Sequence, residues 1–355
     1  MQMDSQKIRV AVVYGGRSSE HSVSCVSAGA VMNHLDKDRY EVVPIGITRD
    51  GAWTAGTTEG LEIVDGKLPG VEPGDELTLS LNPLTRGQFY NVTRGEVFAE
   101  VDVIFPVLHG PFGEDGTIQG LFELSGVPYV GTGVLSSAAG MDKEFTKKLM
   151  VAEGLPVTAE VILREGATLD DTQKDRLGLP VFVKPARGGS SIGISKVTDW
   201  ADLPAAIALA QESDDKVIVE TEIRGDEVEV GVLEYPDGRV VASVPAKLNG
   251  TEDSDEGFYG FETKYLDTVV SPTIPAPFDD ETTAALQSMA LKTFRALDCR
   301  GLSRVDFFVT DRGPVLNEIN TMPGFTPISM YPQVFKATGV DYETLLDTLV
   351  RTALA

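Results

Sequence analysis

Two short apolar segments near the C-terminus carry four side chains with complementary chemistry. Ser303-Arg304-Val305-Asp306-Phe307-Phe308-Val309 is followed by Pro314-Val315-Leu316-Asn317-Glu318-Ile319-Asn320, with Asp311-Arg312-Gly313 as the turn between them. In a strand, residues i and i+2 face the same side. Arg304 and Asp306 therefore share one face of the first segment, and Glu318 and Asn320 share one face of the second. If the hairpin pairs across its turn, two carboxylates, an amide and a guanidinium converge. An all-oxygen donor set suits magnesium rather than zinc. Magnesium held by few protein ligands keeps phosphates among its remaining partners. These residue types suggest a site for a nucleoside triphosphate. The competing reading is a surface hairpin with scattered charges. Against it, Asp306, Glu318 and Asn320 have strongly apolar neighbours, and burying three such groups unpaired is costly.

The elements around this hairpin must hold the rest of any such site. Residues 8–14 form a continuous apolar run ending in Gly15-Gly16, as expected of a strand buried on both faces. A helix is expected next, with Val23, Val26 and Ala30 on one face. Residues 101–107 read as a second buried strand, leading into His109-Gly110-Pro111-Phe112-Gly113-Glu114-Asp115-Gly116 and then a helix marked by Ile118, Leu121 and Phe122. This βα alternation predicts an open parallel sheet with its ligand loops at the strand ends. Residues 48–95 hold only weak hairpin-like pieces and read as an elaboration. After a break near Gly131-Thr132-Gly133, helices are expected over 141–153, 200–212 and 281–297. Strands are expected over 180–184, 216–220, 227–233 and 239–244. The polar stretch 247–265 reads as a lid or loop.

Several loops could carry chemistry. Strand 180–184 delivers Lys184 into Pro185-Ala186-Arg187-Gly188-Gly189-Ser190-Ser191-Ile192-Gly193, whose backbone N–H groups could face an anion. It lacks the Gly-Lys-Ser/Thr ending of a Walker loop, and alone it reads more readily as a tight hairpin with a solvated lysine. Lys143, by itself, reads as a surface lysine. Glu220-Thr221-Glu222-Ile223 ends an apolar strand and could meet an adenine edge, with Glu227 on ribose hydroxyls; each is also an ordinary acid at a strand end. His109 follows a buried strand, a place where a histidine is structural or catalytic. Glu20 could cap a helix electrostatically or hold a substrate ammonium. The turn from Thr321 to Met330 could offer N–H groups to an oxyanion or carboxylate.

Composition sets limits. A chain of 355 residues exceeds what one core usually serves, so two or three domains are expected. With 30 basic and 54 acidic residues the net charge is −24, which argues against nucleic acid or an anionic membrane as partner. No apolar run reaches the length of a membrane span. Cys25 and Cys299 are the only cysteines and lack metal-type spacing, so a reduced, cytoplasmic setting is the simplest expectation.

Taken in order, these segments resemble the D-alanine–D-alanine ligase family of the ATP-grasp superfamily. The matching stretches are Gly15-Gly16-Arg17-Ser18-Ser19-Glu20 with Ser22-Val23-Ser24, His109-Gly110 with Gly113-Glu114-Asp115-Gly116, and Met141-Asp142-Lys143. The Lys184-to-Gly193 loop and Lys264-Tyr265 follow, then Arg304-Val305-Asp306 and Asn317-Glu318-Ile319-Asn320-Thr321-Met322-Pro323-Gly324. Only about residues 48–98 fall outside the match. The resemblance implies an α/β (α+β overall) chain with an ATP-grasp fold and an N-terminal open parallel-sheet domain. It places that domain over 1–131, with the 48–98 elaboration. A central ATP-grasp domain would follow over 132–220, and a C-terminal one over 221–355 with the lid at 247–265.

The implied reaction is ATP-dependent joining of two D-alanines through an acyl phosphate, for peptidoglycan precursors. By the same resemblance, Asp306, Glu318 and Asn320 hold two magnesium (or manganese) ions. Lys143 and Lys184 grip the α- and β-phosphates and Lys264 the γ-phosphate, with Ser190 and Ser191 in the ATP loop. Glu220, Glu222, Ile223 and Glu227 bind adenosine. Glu20 takes the first D-alanine's ammonium, and His109 lies beside its carboxylate. Arg304 and the Gly324 N–H form the oxyanion site. Ser329 and Met330 receive the second D-alanine's carboxylate, and Glu20, Ser190 and Tyr265 clasp the lid. A homodimer is implied as well. Thr221 departs from relatives with a longer side chain at adenine and is left out of the site. The alternative is a ligase joining D-alanine to D-lactate or another D-amino acid; Tyr265 favours an amine as second substrate.

Overall fold

The computed structural model describes residues 7–189, 192–250, 271–326 and 328–355. Ser190, Ser191, Lys264 and Tyr265, and with them the expected clasp, lie outside the described residues.

The chain begins with β1 (Ile8–Gly15), α1 (His21–His34), β2 (Tyr40–Ile47), β3 (Trp53–Ala55), β4 (Leu77–Leu79), β5 (Gln88–Asn91), β6 (Glu96–Glu100), β7 (Val103–Val107) and α2 (Thr117–Ser125). The apolar run of β1 lies inside a sheet of order β3-β2-β1-β7. Val10 pairs in parallel with both Val42 and Val103, while β3 closes one edge antiparallel. The expected parallel sheet is present. Parallel strands need a crossover, and α1 supplies it between β1 and β2. The expected single apolar face on α1 is too narrow: Val23 and Ala30 are buried, but so is most of the helix, and Val26 is the partly exposed position. The cause is packing on several sides, because α1 lies in a core shared by the sheet and the C-terminal helices. Within 48–98 the hairpin pieces become an antiparallel sheet, β4-β5-β6.

Next come α3 (Val134–Met141), α4 (Lys143–Ala152), β8 (Glu160–Leu163), α5 (Asp171–Leu177), β9 (Val181–Pro185), β10 (Ser195–Val197), α6 (Leu203–Gln211) and β11 (Val217–Thr221). The helix expected over 141–153 starts two residues later. Asp142 leaves helical geometry and its side chain accepts from Glu144 N and Phe145 N, capping α4. Helix α3 was not anticipated, since its Gly- and Ser-containing sequence carries little periodic signal. The sheet β10-β9-β11-β8 is antiparallel throughout and packs its apolar face on α6.

The last part holds β12 (Asp226–Glu234), β13 (Val240–Ala242), β14 (Ala246–Asn249), β15 (Ser271–Thr273), α7 (Asp280–Ala296), β16 (Leu302–Thr310), β17 (Gly313–Asn320), α8 (Met330–Thr338) and α9 (Tyr342–Leu354). Its sheet runs β15-β14-β12-β16-β17, with β13 also on β12. The segment read as a lid from residue 247 begins instead as strand β14: Ala246 and Leu248 are buried on one face and Lys247 and Asn249 alternate outward. Residues 251–265 of that expected lid lie outside the described residues. The sheet's apolar face, including Val228, Val230, Val305, Phe307, Leu316 and Ile319, packs on α7.

Phe325 joins the first sheet to the C-terminal helices. It is fully buried, meets Phe105 of β7 edge-on at 5.9 Å, and lies 5.6 Å from the Tyr331 ring and 6.2 Å from that of Tyr342. Phe325→Ala is expected to cost about 3–5 kcal/mol, read as a lowered midpoint in equilibrium urea unfolding.

Candidate active site

A β-bulge sets the geometry of the β16–β17 hairpin. Phe307 pairs with Leu316, but the register shifts by one at Asp306, which pairs with Glu318; Arg304 then pairs with Asn320. The extra residue is Asn317. Without it, Glu318 and Asn320 would turn into the core and Ile319 out of it, because a one-residue slip exchanges the faces of a strand. With it, Val305, Phe307, Leu316 and Ile319 share the buried face, while Arg304, Asp306, Glu318 and Asn320 share the other.

That second face forms one wall of a cleft of about 810 Å³. The sheet β8–β11 forms the opposite wall, and residues from the first sheet close one end. Glu20, His109, Lys143, Lys184, Glu220 and Glu222 line the cleft, as do Ile223, Glu227, Arg304, Asp306, Glu318 and Asn320, and Gly324, Ser329 and Met330. Every expected site residue among the described ones is thus brought to a single cavity.

Its charges are paired. The Arg304 guanidinium donates through Nε to Asp306 Oδ1 and through a terminal nitrogen to Asp306 Oδ2, both at 2.8 Å, and its Nε lies 3.1 Å from Glu229 Oε2. Burial opposes this cation, but Asp306 and Glu229 outweigh it and hold Arg304 firmly protonated. Asn320 donates its amide to Asp306 Oδ2 at 3.0 Å, which leaves the amide oxygen as an available type of donor to a cation. Two carboxylates and an amide oxygen on adjacent strands form a hard, all-oxygen set suited to magnesium.

The lysines face these acids. Lys143 begins α4, donates to Gly188 O at 3.0 Å and lies 3.4 Å from Glu318. It is largely buried rather than a surface lysine. Lys184 is buried 2.6 Å from Glu220, so the solvated-lysine reading of its hairpin does not hold. Glu220 also pairs with the buried Lys147, which lies 3.1 Å from Glu160. Burial by itself raises the Glu220 pKa, but Lys147 and Lys184 override it and bring it down to about 2. Lys184 in turn stays charged against its own desolvation because of Glu220. Glu222 pairs with Lys196 at 2.6 Å, which lowers its pKa.

At the other end, Glu20 reaches between two glycines. A Cβ on Gly110 would lie 3.0 Å, and one on Gly189 3.2 Å, from Glu20 Oε2. His109 is buried between Met322 O, 3.2 Å from Nδ1, and Ser27 Oγ, 3.3 Å from Nε2. Burial lowers its pKa and favours the neutral ring. Gly324 passes so close to Ser329 that a Cβ would sit 2.7 Å from its Oγ. A side chain at this position would have to displace the Ser329 hydroxyl.

Glu229, Glu114 and Lys196 also line the cleft and were not among the expected site residues. Glu229 lies two positions from Glu227 on β12, opposite to the apolar 228, 230 and 232, so period-two alternation already places it on the cleft face. Glu114 accepts from Gly110 N at 2.6 Å and Met322 N at 3.3 Å; its only signal was its place in the Gly-rich turn after His109. Lys196 sits on β10 beside Glu222, and nothing in the local sequence marks it.

Comparison with known proteins agrees with this layout. The profile described as D-ala D-ala ligase N-terminus matches residues 9–132, and that described as D-ala D-ala ligase C-terminus matches residues 149–351. A "D-alanine--D-alanine ligase" of Corynebacterium aurimucosum is 69% identical over 352 residues, covering 99% of each chain. Among solved structures, the VanG D-Ala:D-Ser ligase of Enterococcus faecalis superposes with a TM-score of 0.83 at 37% identity, covering 98% of this chain and 100% of that one. The D-alanine–D-alanine ligase of Bacillus anthracis complexed with ATP gives 0.73 at 28% identity, covering 98% and 97%. With one profile ending just after the first sheet and the other running through both walls of the cleft, the chain has the ATP-grasp fold and belongs to the D-alanine–D-alanine ligase family.

Proposed function

We propose that this chain uses ATP to join two D-alanines, making D-alanyl-D-alanine for peptidoglycan. The carrying observation is that Lys143, Lys184, Arg304, Asp306 and Glu318 line the same cleft as Glu20 and His109. Cationic phosphate grips, oxygen donors for a metal and an acid for an amine are thereby within reach of one bound reactant pair.

In this reading a carboxylate oxygen of the first D-alanine attacks the γ-phosphorus of ATP. ADP leaves, and an acyl phosphate remains. The amine of the second D-alanine then attacks the carbonyl carbon, and the tetrahedral intermediate expels phosphate. Lys143 and Lys184 grip the α- and β-phosphates. Glu222, Ile223 and Glu227 face adenosine at the turn from β11 to β12, with Glu220 at its edge also steadying Lys184. Asp306, Glu318 and Asn320 would hold magnesium or manganese, which would offset the negative charge of the phosphates. Glu20 takes the first substrate's ammonium, and neutral His109 lies beside its carboxylate. Arg304 and the Gly324 N–H stabilise the oxyanion. Arg304 has five N–H donors in its fork, so donors beyond those given to Asp306 and Glu229 remain for substrate. Ser329 and Met330 face the second D-alanine's carboxylate. Lys264, Ser190, Ser191 and Tyr265 complete the reading from the sequence resemblance alone, as does a homodimer in the cytoplasm. Seams near residues 131 and 220 would divide the chain into three domains.

Phosphate release measured with D-alanine alone, then with D-lactate added, tests the reaction. Turnover is expected with D-alanine alone; turnover that needs lactate would overturn the choice of amine. Arg304→Ala is expected to lower kcat by about a hundredfold while ATP affinity moves by no more than a few-fold, because the oxyanion exists only along the reaction path. Equal losses in both would assign Arg304 to ground-state binding.

Glu114 gives a pH dependence. Burial first, and then the neighbouring Glu20 charge, push its carboxyl up to about 8. The folded state therefore holds a proton that the unfolded state has released above its ordinary value near 4.5, and stability falls as pH rises across that interval. Glu114→Gln is expected to lose less stability than the parent between about pH 5 and pH 8, compared by urea midpoints at several pH values.

A further inference from the structure

Residues 56–74 have no part in the reaction as described, yet they are fastened to the turn that carries Glu20. The Tyr14 hydroxyl, at the end of β1, accepts from Thr57 N at 2.8 Å and donates to Thr57 O at 3.1 Å. Leu61 is buried over α1, where a Cβ on Gly29 would fall 2.9 Å from its own Cβ. Val71 fills a notch made by two glycines: its methyls lie 2.8 Å and 2.6 Å from where a Cβ would stand on Gly15 and Gly46. Gly15 and Gly16 both have φ of +93°, a region open to glycine. The segment is a strap laid across the β1–α1 turn.

His21 ties strap and turn together. It is the first residue of α1, follows Glu20 directly and is fully buried. Its Nδ1 lies 2.7 Å from Gly16 O, and its Nε2 accepts from Val71 N at 3.0 Å. A carbonyl can only accept and a peptide N–H can only donate, so the two contacts fix the ring. It is neutral, with its proton on Nδ1. Protonating Nε2 would set two donors against each other and break the link to the strap. Burial, Arg49 and the helix N-terminus all disfavour that charge. The imidazole thus clips residues 16–21 into a closed loop, and Glu20 lies inside it, next to His21. Glu20 N in turn donates to Ser18 Oγ at 3.2 Å inside the same loop.

We propose that His21, through Gly16 O and the strap amide of Val71, is a positioning residue that holds Glu20 in place for the ammonium of the first substrate. This rests on the assignment of that ammonium to Glu20. It also gives the 48–98 elaboration a task, that of bracing the substrate turn from outside the cleft.

Three measurements test it. Heteronuclear NMR of the unmodified protein should find His21 in the Nδ1–H tautomer; an Nε2–H or charged ring would overturn the clip. In His21→Asn, whose shorter side chain cannot reach Val71, the Val71 amide should exchange with solvent more than about tenfold faster, and unchanged protection would overturn the tie to the strap. Steady-state kinetics of the same variant should raise KM for the first D-alanine roughly tenfold, with KM for ATP nearly unchanged. Equal weakening of both substrates would overturn positioning in favour of general loosening. Glu20→Gln separates the two levels. A raised D-alanine KM there, with none in His21→Asn, defeats the positioning alone. An unchanged KM in Glu20→Gln defeats the ammonium assignment and the substrate half of the proposal with it.

Discussion

Buried charge has to be paired, and that constraint organises the cleft. An acid removed from water without a partner costs several kcal/mol or gives up its charge. Around this cavity acids are met by cations: Asp306 by its strand neighbour Arg304, which also reaches Glu229 on β12, Glu220 by Lys147 and Lys184, Glu222 by Lys196, and Glu318 by Lys143. Two of these pairs cross from α4, to β11 and to β17, so the ion pairs also tie the two walls of the cleft together. Glu114 is the exception that follows the same rule. Burial first, and then the charge of Glu20, push it towards the protonated form.

Much of this was legible before any coordinates. Period-two alternation placed Arg304 with Asp306 and Glu318 with Asn320. The apolar run of residues 8–14 announced a strand in a parallel sheet, and Lys184 stood where a strand met a Gly-rich loop. The face relation between the two hairpin strands was not legible from alternation alone. Leu316 and Ile319 are three apart, a spacing that a regular strand cannot bury on one side, and that mismatch is the trace a bulge leaves in a sequence. Lys147 and Lys196 were harder still. A lysine on an amphipathic helix or a short strand normally points to water, and only the tertiary meeting with Glu220 and Glu222 gives these two a role. The start of the expected lid was misjudged because polar residues dominate the stretch, although Ala246 and Leu248 keep the alternation of a strand.

The first sheet contributes more than substrate loops. Its face opposite the small antiparallel sheet shares one core with α8 and α9, where Phe325 packs between Phe105 of β7 and Tyr331 of α8 and the hydroxyl of Tyr342 donates to Phe325 O at 2.7 Å. The loop from Met322 to Phe325 therefore runs along this seam, with Gly324 in the middle. His109 and Glu114 reach it from the β7 side at Met322, and Ser27 of α1 reaches it at Phe325 N. Parts of the cavity separated by two hundred residues in sequence are in this way fixed to one another by packing and by backbone hydrogen bonds.

The pairing of Lys143 with Glu318 has a consequence for how a highly charged ligand enters. A triphosphate accompanied by a divalent cation brings both signs at once. In the proposed reaction a phosphate would take over the lysine and a divalent cation the carboxylate, so each protein charge would swap one counter-ion for another. Entry of this kind resembles ion exchange on a resin.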